Sequence, residues 1–414
     1  MIDSHMPFNQ KALEEIFAPS RIRSQALRLQ KYCVSGKGHF AICEEVIPEI
    51  VAYVNQVIEL RYPNVQIPYH SRFSHFQVGG VDRLAYLEKN LNGLDRLEKV
   101  RAKIDLIMVS VLLDAGAGSQ WQFFETETGK VVARSEGLAV ASLDMFIRGA
   151  FSSEPQTKLQ ADGGGLLHLT KERLELGFQV SIGNPLIGVD GRLKLIHSLG
   201  HVVEENKEVF GGFYSRPGHI LDLLIRKYPN RKLPATDLLE ILLKALSPIW
   251  PERFTLGTYN LGDVWFHPAL GDKASWQSLQ PFHKLTQWMV YSLLTPLEEA
   301  GFEVLGLNEL TGLPEYRNGG LLIDRGLLVL KDSEAASQCH RPDSPLIVEW
   351  RALTIYYIDK IHLGLCDLRG VSPQEFPLVR ALEGGTWWAG RKAAKEKRAD
   401  GAPPLMLTSD GTVF

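Results

Sequence analysis

A lysine, two glutamates and two arginines stand among large apolar residues in three segments of this chain: Phe282-His283-Lys284-Leu285-Thr286-Gln287, Leu310-Thr311-Gly312-Leu313-Pro314-Glu315-Tyr316-Arg317-Asn318-Gly319-Gly320, and Val348-Glu349-Trp350-Arg351. A buried charge is expensive unless it is paired or used. Three such segments close together in sequence point to one polar site walled by a hydrophobic core. The chemistry these residue types supply is proton transfer on a small anionic molecule. The plain alternative is a set of buried ion pairs tying helices together, since structural networks perturb ionisation as well.

Two further clusters carry charge next to small or aromatic residues. Tyr69-His70-Ser71-Arg72-Phe73-Ser74-His75-Phe76 is followed by Gly79-Gly80-Val81-Asp82-Arg83. Its guanidinium forks match phosphate or carboxylate oxygens, and the competing reading is a turn paired to nearby helices. A metal on His70 and His75 would need a third ligand that the spacing does not offer. Asp114-Ala115-Gly116-Ala117-Gly118-Ser119-Gln120-Trp121 offers a carboxylate for sugar hydroxyls and an indole to stack on a ring. The competing reading is a helix stop with Trp121 in the core.

Helical periodicity dominates the elements that would position these groups. Apolar residues recur at helix spacing over 10–31, 44–60 and 94–113, where Leu97, Val100, Ile104, Ile107, Met108 and Val111 mark a buried stripe. Residues 121–133 read as a hairpin around Glu-Thr-Gly. Helices are expected over 138–147, 171–179, 192–205, 218–227, 237–246, 282–300 and 346–363, with 258–266 extended. The stripe of the 282–300 helix would be Phe282, Leu285, Met289, Leu293 and Leu297. Ser344 and Pro345 suit the start of the last long helix. The expected fold is mainly α with small β elements. The best linker signal is Asp162-Gly163-Gly164-Gly165, which suggests an N-terminal helical part, 1–160, and a C-terminal helical part, 161–414.

The chain has 414 residues, 45% hydrophobic and 22% charged, the composition of an ordinary soluble globular protein. A net charge of −3 argues against general nucleic-acid binding. The basic run Arg391 to Arg398 reads as a solvated helix end. Cys33, Cys43, Cys339 and Cys366 form no CxxC pair and fit reduced thiols in the cytoplasm. No apolar run reaches a membrane span and no signal peptide is visible. Phosphate-loop, dinucleotide, nucleophile-elbow and zinc-helix motifs are absent. No cofactor or metal is therefore expected, and a homo-oligomer is left open.

Several strings carry a resemblance that covers most of the chain: Tyr69-His70-Ser71-Arg72, Leu113-Asp114-Ala115-Gly116-Ala117-Gly118, Arg134-Ser135-Glu136-Gly137-Leu138, Asn184-Pro185-Leu186-Ile187-Gly188 and Leu310 to Asp324. On these the chain resembles the uracil catabolism protein 4 family, also described as domain of unknown function 1688. That resemblance implies a place in a route that opens the pyrimidine ring of a nucleotide and liberates urea. Over about 280–365 the chain is also similar to the queuosine 5′-phosphate N-glycosidase family, which resembles helical DNA glycosylases. There a lysine of the first motif works with an acid placed just before Tyr-Arg. The matching positions are Lys284 and Glu315, with glutamate here where that family has aspartate.

Together the resemblances imply a hydrolase that cuts a ribosyl C–N bond of a ribosylurea-type 5′-phosphate. Glu315 and Lys284 would be catalytic. Asp324, Glu349 and Asp114 are candidates to protonate the leaving group, and Arg317, Arg351 and Arg72 to hold the phosphate. Tyr316, Asn318, His70, His75, Trp121 and Trp288 complete the candidate substrate contacts. Two rivals belong to other classes. One is a metal-dependent amidohydrolase using His70 and His75, and the other is a non-catalytic protein that binds a ring-opened intermediate.

Overall fold

Asp95 accepts the N–H groups of Leu97 and Glu98 at 2.9 and 3.0 Å and so opens the helix Arg96–Leu112. A carboxylate in this position satisfies donors that the first helical turn leaves open and complements the helix dipole. Past Val100 almost every residue of the helix is buried, on all faces. The same logic repeats along the chain in the computed structural model, which describes residues 5–63, 66–114, 116–118, 120–154 and 156–408. The fold is mainly α, and the strands are short, forming pairs and one three-stranded set rather than a continuous sheet.

The chain divides into two compact units, each gathered from separated segments. The first takes the described parts of Met1–His70, Glu252–Gln287 and Gly306–Thr408. Its principal helices are Gln10–Phe17, Pro19–Val34, Ile47–Arg61, Tyr316–Asp324, Pro345–Arg369 and Trp387–Lys397. Two antiparallel pairs stiffen it: Phe40–Ile42 with Leu328–Leu330, and Val264–Phe266 with Leu279–Pro281. The second unit is built mainly from Ser71–Pro251. It holds the Arg96–Leu112 helix, the expected hairpin, with Phe123 opposite Val132, and the helices Arg134–Ile147, Val189–Glu205 and Ala235–Ala245. The helix Lys284–Glu299 starts in the first unit and continues in the second.

Local chemistry explains where the elements depart from the periodicity. The expected helix over 10–31 is two helices, because Ala18 is extended (φ −78°, ψ 132°) and Pro19 takes the first position of the next helix. Proline has no N–H to continue the earlier ladder. The helix expected to begin at Phe282 begins at Lys284, since His283 sits at φ +48°. The glycines after Asp162 open the short helix Gly163–Leu167. Asp162 accepts the Gly165 N–H at 2.8 Å, and a side chain at Gly165 would overlap the Phe151 carbonyl. This helix belongs to the second unit. No helix among the described residues is long and apolar enough to cross a membrane.

Candidate active site

Pro314 and an extended Glu315 (φ −109°, ψ 167°) bring the chain to the start of the helix Tyr316–Asp324. The Glu315 carboxylate folds back over that start. Its Oε2 accepts the Arg317 N–H and its Oε1 the Asn318 N–H, both at 2.6 Å. The residue is only 8% exposed, and Lys284 only 9%. Burial pushes the Glu315 carboxyl above its ordinary value, opposed by the two N–H groups and by the Lys284 and Arg317 charges. The outcome is a dry carboxylate at a positive helix end with two cations in electrostatic reach.

The three charged segments are latched to one another. Gln287 donates to the Phe282 carbonyl and to Thr311 Oγ1, each at 2.9 Å, and accepts the Thr311 N–H at 2.9 Å. Trp350 donates its indole N–H to the Gly319 carbonyl at 3.0 Å. A side chain at Gly319 would press on Trp350 and Thr354. The helix carrying Arg317 and Asn318 therefore lies directly on the helix carrying Glu349 and Arg351.

Asp263 holds this frame, and the sequence reading did not single it out. Arg351 grips it with both terminal nitrogens, each 2.7 Å from a different carboxylate oxygen. The Trp265 indole donates at 2.6 Å and the Lys284 backbone N–H at 3.0 Å. Arg351 also donates Nε to the Pro314 carbonyl at 3.3 Å and stacks over Phe282 at 4.0 Å. Burial works to raise the Asp263 carboxyl, but the Arg351 charge and the donors overcome it and hold the group well below the usual range. The arginine considered for phosphate binding thus has its fork committed to Asp263. One brace ties the Lys284 backbone to the residue preceding Glu315.

The remaining candidates in the first unit are placed as follows. Asn318 is fully buried and donates to the Leu313 carbonyl at 3.0 Å, while its Oδ1 has no hydrogen-bond partner among the described residues. Arg317 donates to the Gly401 carbonyl at 3.2 Å and lies over the half-buried Tyr316 ring, and its Nε is likewise unpartnered there. Asp324 is held by the Arg398 fork at 2.7 and 2.6 Å. Glu349 is fully buried between His39 and His267. His70 Nδ1 lies 2.8 Å from Glu383, which sits on the π-helical turn Leu382–Thr386.

The second unit contains Arg72, His75, Asp114, Trp121 and Trp288. Arg72 is fully buried; it donates to Ser110 Oγ at 2.7 Å and to Asp114 at 2.8 Å. Asp114 also accepts from Ser135 Oγ at 2.6 and 2.7 Å, and His75 Nδ1 lies 3.1 Å from that hydroxyl. Trp288 packs on His75, ring centroids 5.4 Å apart. Trp121 is a core residue, fully enclosed, with its indole donating to the Phe178 carbonyl at 2.9 Å. Ala115 and Ser119 of the same sequence cluster lie outside the described residues. Among the described residues no group of three His, Cys, Asp or Glu is arranged to hold a metal ion.

Comparison with known proteins agrees with the resemblance read from the strings. A family model described as "Protein of unknown function (DUF1688)" matches residues 15–414. "Protein urg3" of Schizosaccharomyces pombe is 41% identical over 380 residues, covering 89% of this chain and 90% of that protein. "Uracil catabolism protein 4" of Lachancea kluyveri is 39% identical over 412 residues, covering 92% of this chain and 93% of that protein. Matched from residue 15 to the last residue and sharing its length with both relatives, the chain belongs to the DUF1688 family.

Proposed function

We propose that this chain acts in uracil catabolism, as the name of its Lachancea kluyveri relative states for that protein, and that its step is hydrolysis of the N-glycosidic bond of a ribosylurea-type 5′-phosphate. The products are ribose 5-phosphate and urea. The observation that supports this most is the buried Glu315 carboxylate, fixed on two backbone N–H groups beside the Lys284 charge.

Breaking a ribosyl C–N bond builds positive charge on the pentose. A fixed, water-excluded carboxylate stabilises that charge and takes the proton of the attacking water. The Lys284 charge favours the ionised form of Glu315 and opposes part of the effect of its burial. Arg317 Nε and Asn318 Oδ1, both without a hydrogen-bond partner among the described residues, suit a phosphate oxygen and a substrate hydroxyl or amide N–H respectively.

The test is incubation with uridine monophosphate, its ring-opened products and ribosylurea 5′-phosphate, reading urea and ribose 5-phosphate. Glu315→Gln keeps the shape and removes the charge. It should lower turnover by about 100-fold or more. Unchanged turnover in this variant would remove Glu315 from the mechanism.

A further inference from the structure

Three successive backbone N–H groups converge on Asp263 at the turn that leads into Lys284. The strand pair Val264–Phe266 with Leu279–Pro281 ends here and sets Asp263 beside Phe282. The Asp263 carbonyl accepts the N–H groups of Phe282 at 2.9 Å and of His283 at 3.3 Å. Its carboxylate accepts the Lys284 N–H at 3.0 Å. Such convergence needs a left-handed residue next to a right-handed one, and His283 supplies it at φ +48°. A residue with a side chain is strained there. Two contacts hold it in place. His283 Nε2 lies 2.9 Å from the Ile16 carbonyl and so carries the ring hydrogen. The ring stands edge-on to Phe17, centroids 5.5 Å apart. Burial lowers the pKa of this imidazole and favours the neutral ring.

The turn does more than start a helix. Asp95, Asp162 and Thr170 cap their own helices from the preceding position. Here the cap comes from another segment, and the same carboxylate holds the Arg351 fork, both contacts at 2.7 Å. Arg351 Nε in turn donates to the Pro314 carbonyl at 3.3 Å. Two hydrogen-bonded residues thus connect the root of the Lys284 side chain to the residue before Glu315. The spacing matters because attraction between unlike charges falls with their separation.

We infer that Asp263 and the left-handed His283 form a positioning corner that holds the Lys284 ammonium within reach of the Glu315 carboxyl. This rests on the roles of Lys284 and Glu315 proposed above. The Lys284 and Arg317 charges act on Glu315, and both favour its ionised form. Charged groups on the neighbouring elements have partners of their own. Arg351 has Asp263, Asp324 has Arg398, Lys392 has Glu396, and Glu349 has His39 and His267. A backbone driven out of the left-handed region at His283 displaces the first residue of the helix, which is Lys284. Glu315 then loses part of an opposing charge and takes up its proton at higher pH.

Substitutions at His283 separate the backbone from the ring. Asparagine tolerates the left-handed region, whereas valine, branched at Cβ, does not. Both remove the imidazole. The readout is the protonation midpoint of the Glu315 carboxyl, followed by carbon NMR on the full chain without substrate and assigned with Glu315→Gln. Lys284→Met should move that midpoint to higher pH by about 1 pH unit. His283→Val should move it most of the way, His283→Ala part of the way, and His283→Asn little. His283→Val combined with Lys284→Met should move it no further than Lys284→Met alone. A wild-type midpoint in His283→Val, equal shifts for valine and asparagine, or full additivity with Lys284→Met overturns the corner. If the valine variant does not fold, the contrast between alanine and asparagine decides in the same way. Turnover of ribosylurea 5′-phosphate is measured separately. The expected shifts in a wild type and variants that cleave nothing would overturn the reaction and leave the placement of Lys284 standing.

Discussion

Glu315 serves as a helix cap and, in the proposed reaction, as a base, and the two jobs share one geometry. The N–H groups that fix it also stabilise its charge, while enclosure works the other way and wins. Only the ionised form can accept a proton. Turnover should therefore be lost as pH falls through a midpoint above the usual glutamate range, where Glu315 takes up its proton. Lys284→Met removes a charge that opposes the upward shift, so the acid limb of its pH–rate profile should move to higher pH. A limb that stays in place would mean that Lys284 does not act on Glu315. Asp263 escaped the sequence reading for a physical reason. It is an isolated polar residue at a bend just before a short strand, and it acquires its partner, Arg351, only when a segment tens of residues away closes on it. An acid between glycine and a Val-Trp-Phe strand was the only local hint of Asp263.

Helices were legible because their apolar stripes repeat and their caps are written in side chains, as with Asp95 before Arg96–Leu112. Breaks were less so. Pro19 could have been read as a stop, but the stripe runs through it; His283 in the left-handed region has no sequence signature. Contacts between helices carry still less signal. The helix Trp387–Lys397 lies so close to Tyr316–Asp324 that a side chain at Gly390 would overlap the Arg317 carbonyl. Gly390→Ala should therefore cost about 1–3 kcal/mol by overpacking, visible as a lower denaturation midpoint. It should also depress turnover, because the displaced Arg317 backbone is the one that donates to Glu315. Loss of stability with wild-type turnover would show that the cap geometry tolerates the shift.

At the scale of the molecule, acid stability should report on the Asp263–Arg351 pair. The folded Asp263 carboxyl lies far below its unfolded value of about 3.9. Its contribution is present in full above that unfolded value and is lost as pH falls toward the folded one. Asp263→Asn leaves a buried guanidinium without its carboxylate and should cost about 3–5 kcal/mol near neutral pH. In urea melts repeated from pH 7 to pH 3, the gap between wild type and variant should narrow below about pH 4. A gap constant with pH would mean that the pair adds shape and no charge-linked stability. The first unit, moreover, draws on three stretches that together reach from the beginning of the chain to residue 408. During synthesis on the ribosome the second unit can collect its long stretch, Ser71–Pro251, while the first still waits for its final helices. Glu315 and Asp263 will have left the exit tunnel before the segment that brings Arg398 to Asp324 and the Gly401 carbonyl to Arg317 exists. Chains released early should then be inert however much of the reactive sequence they contain.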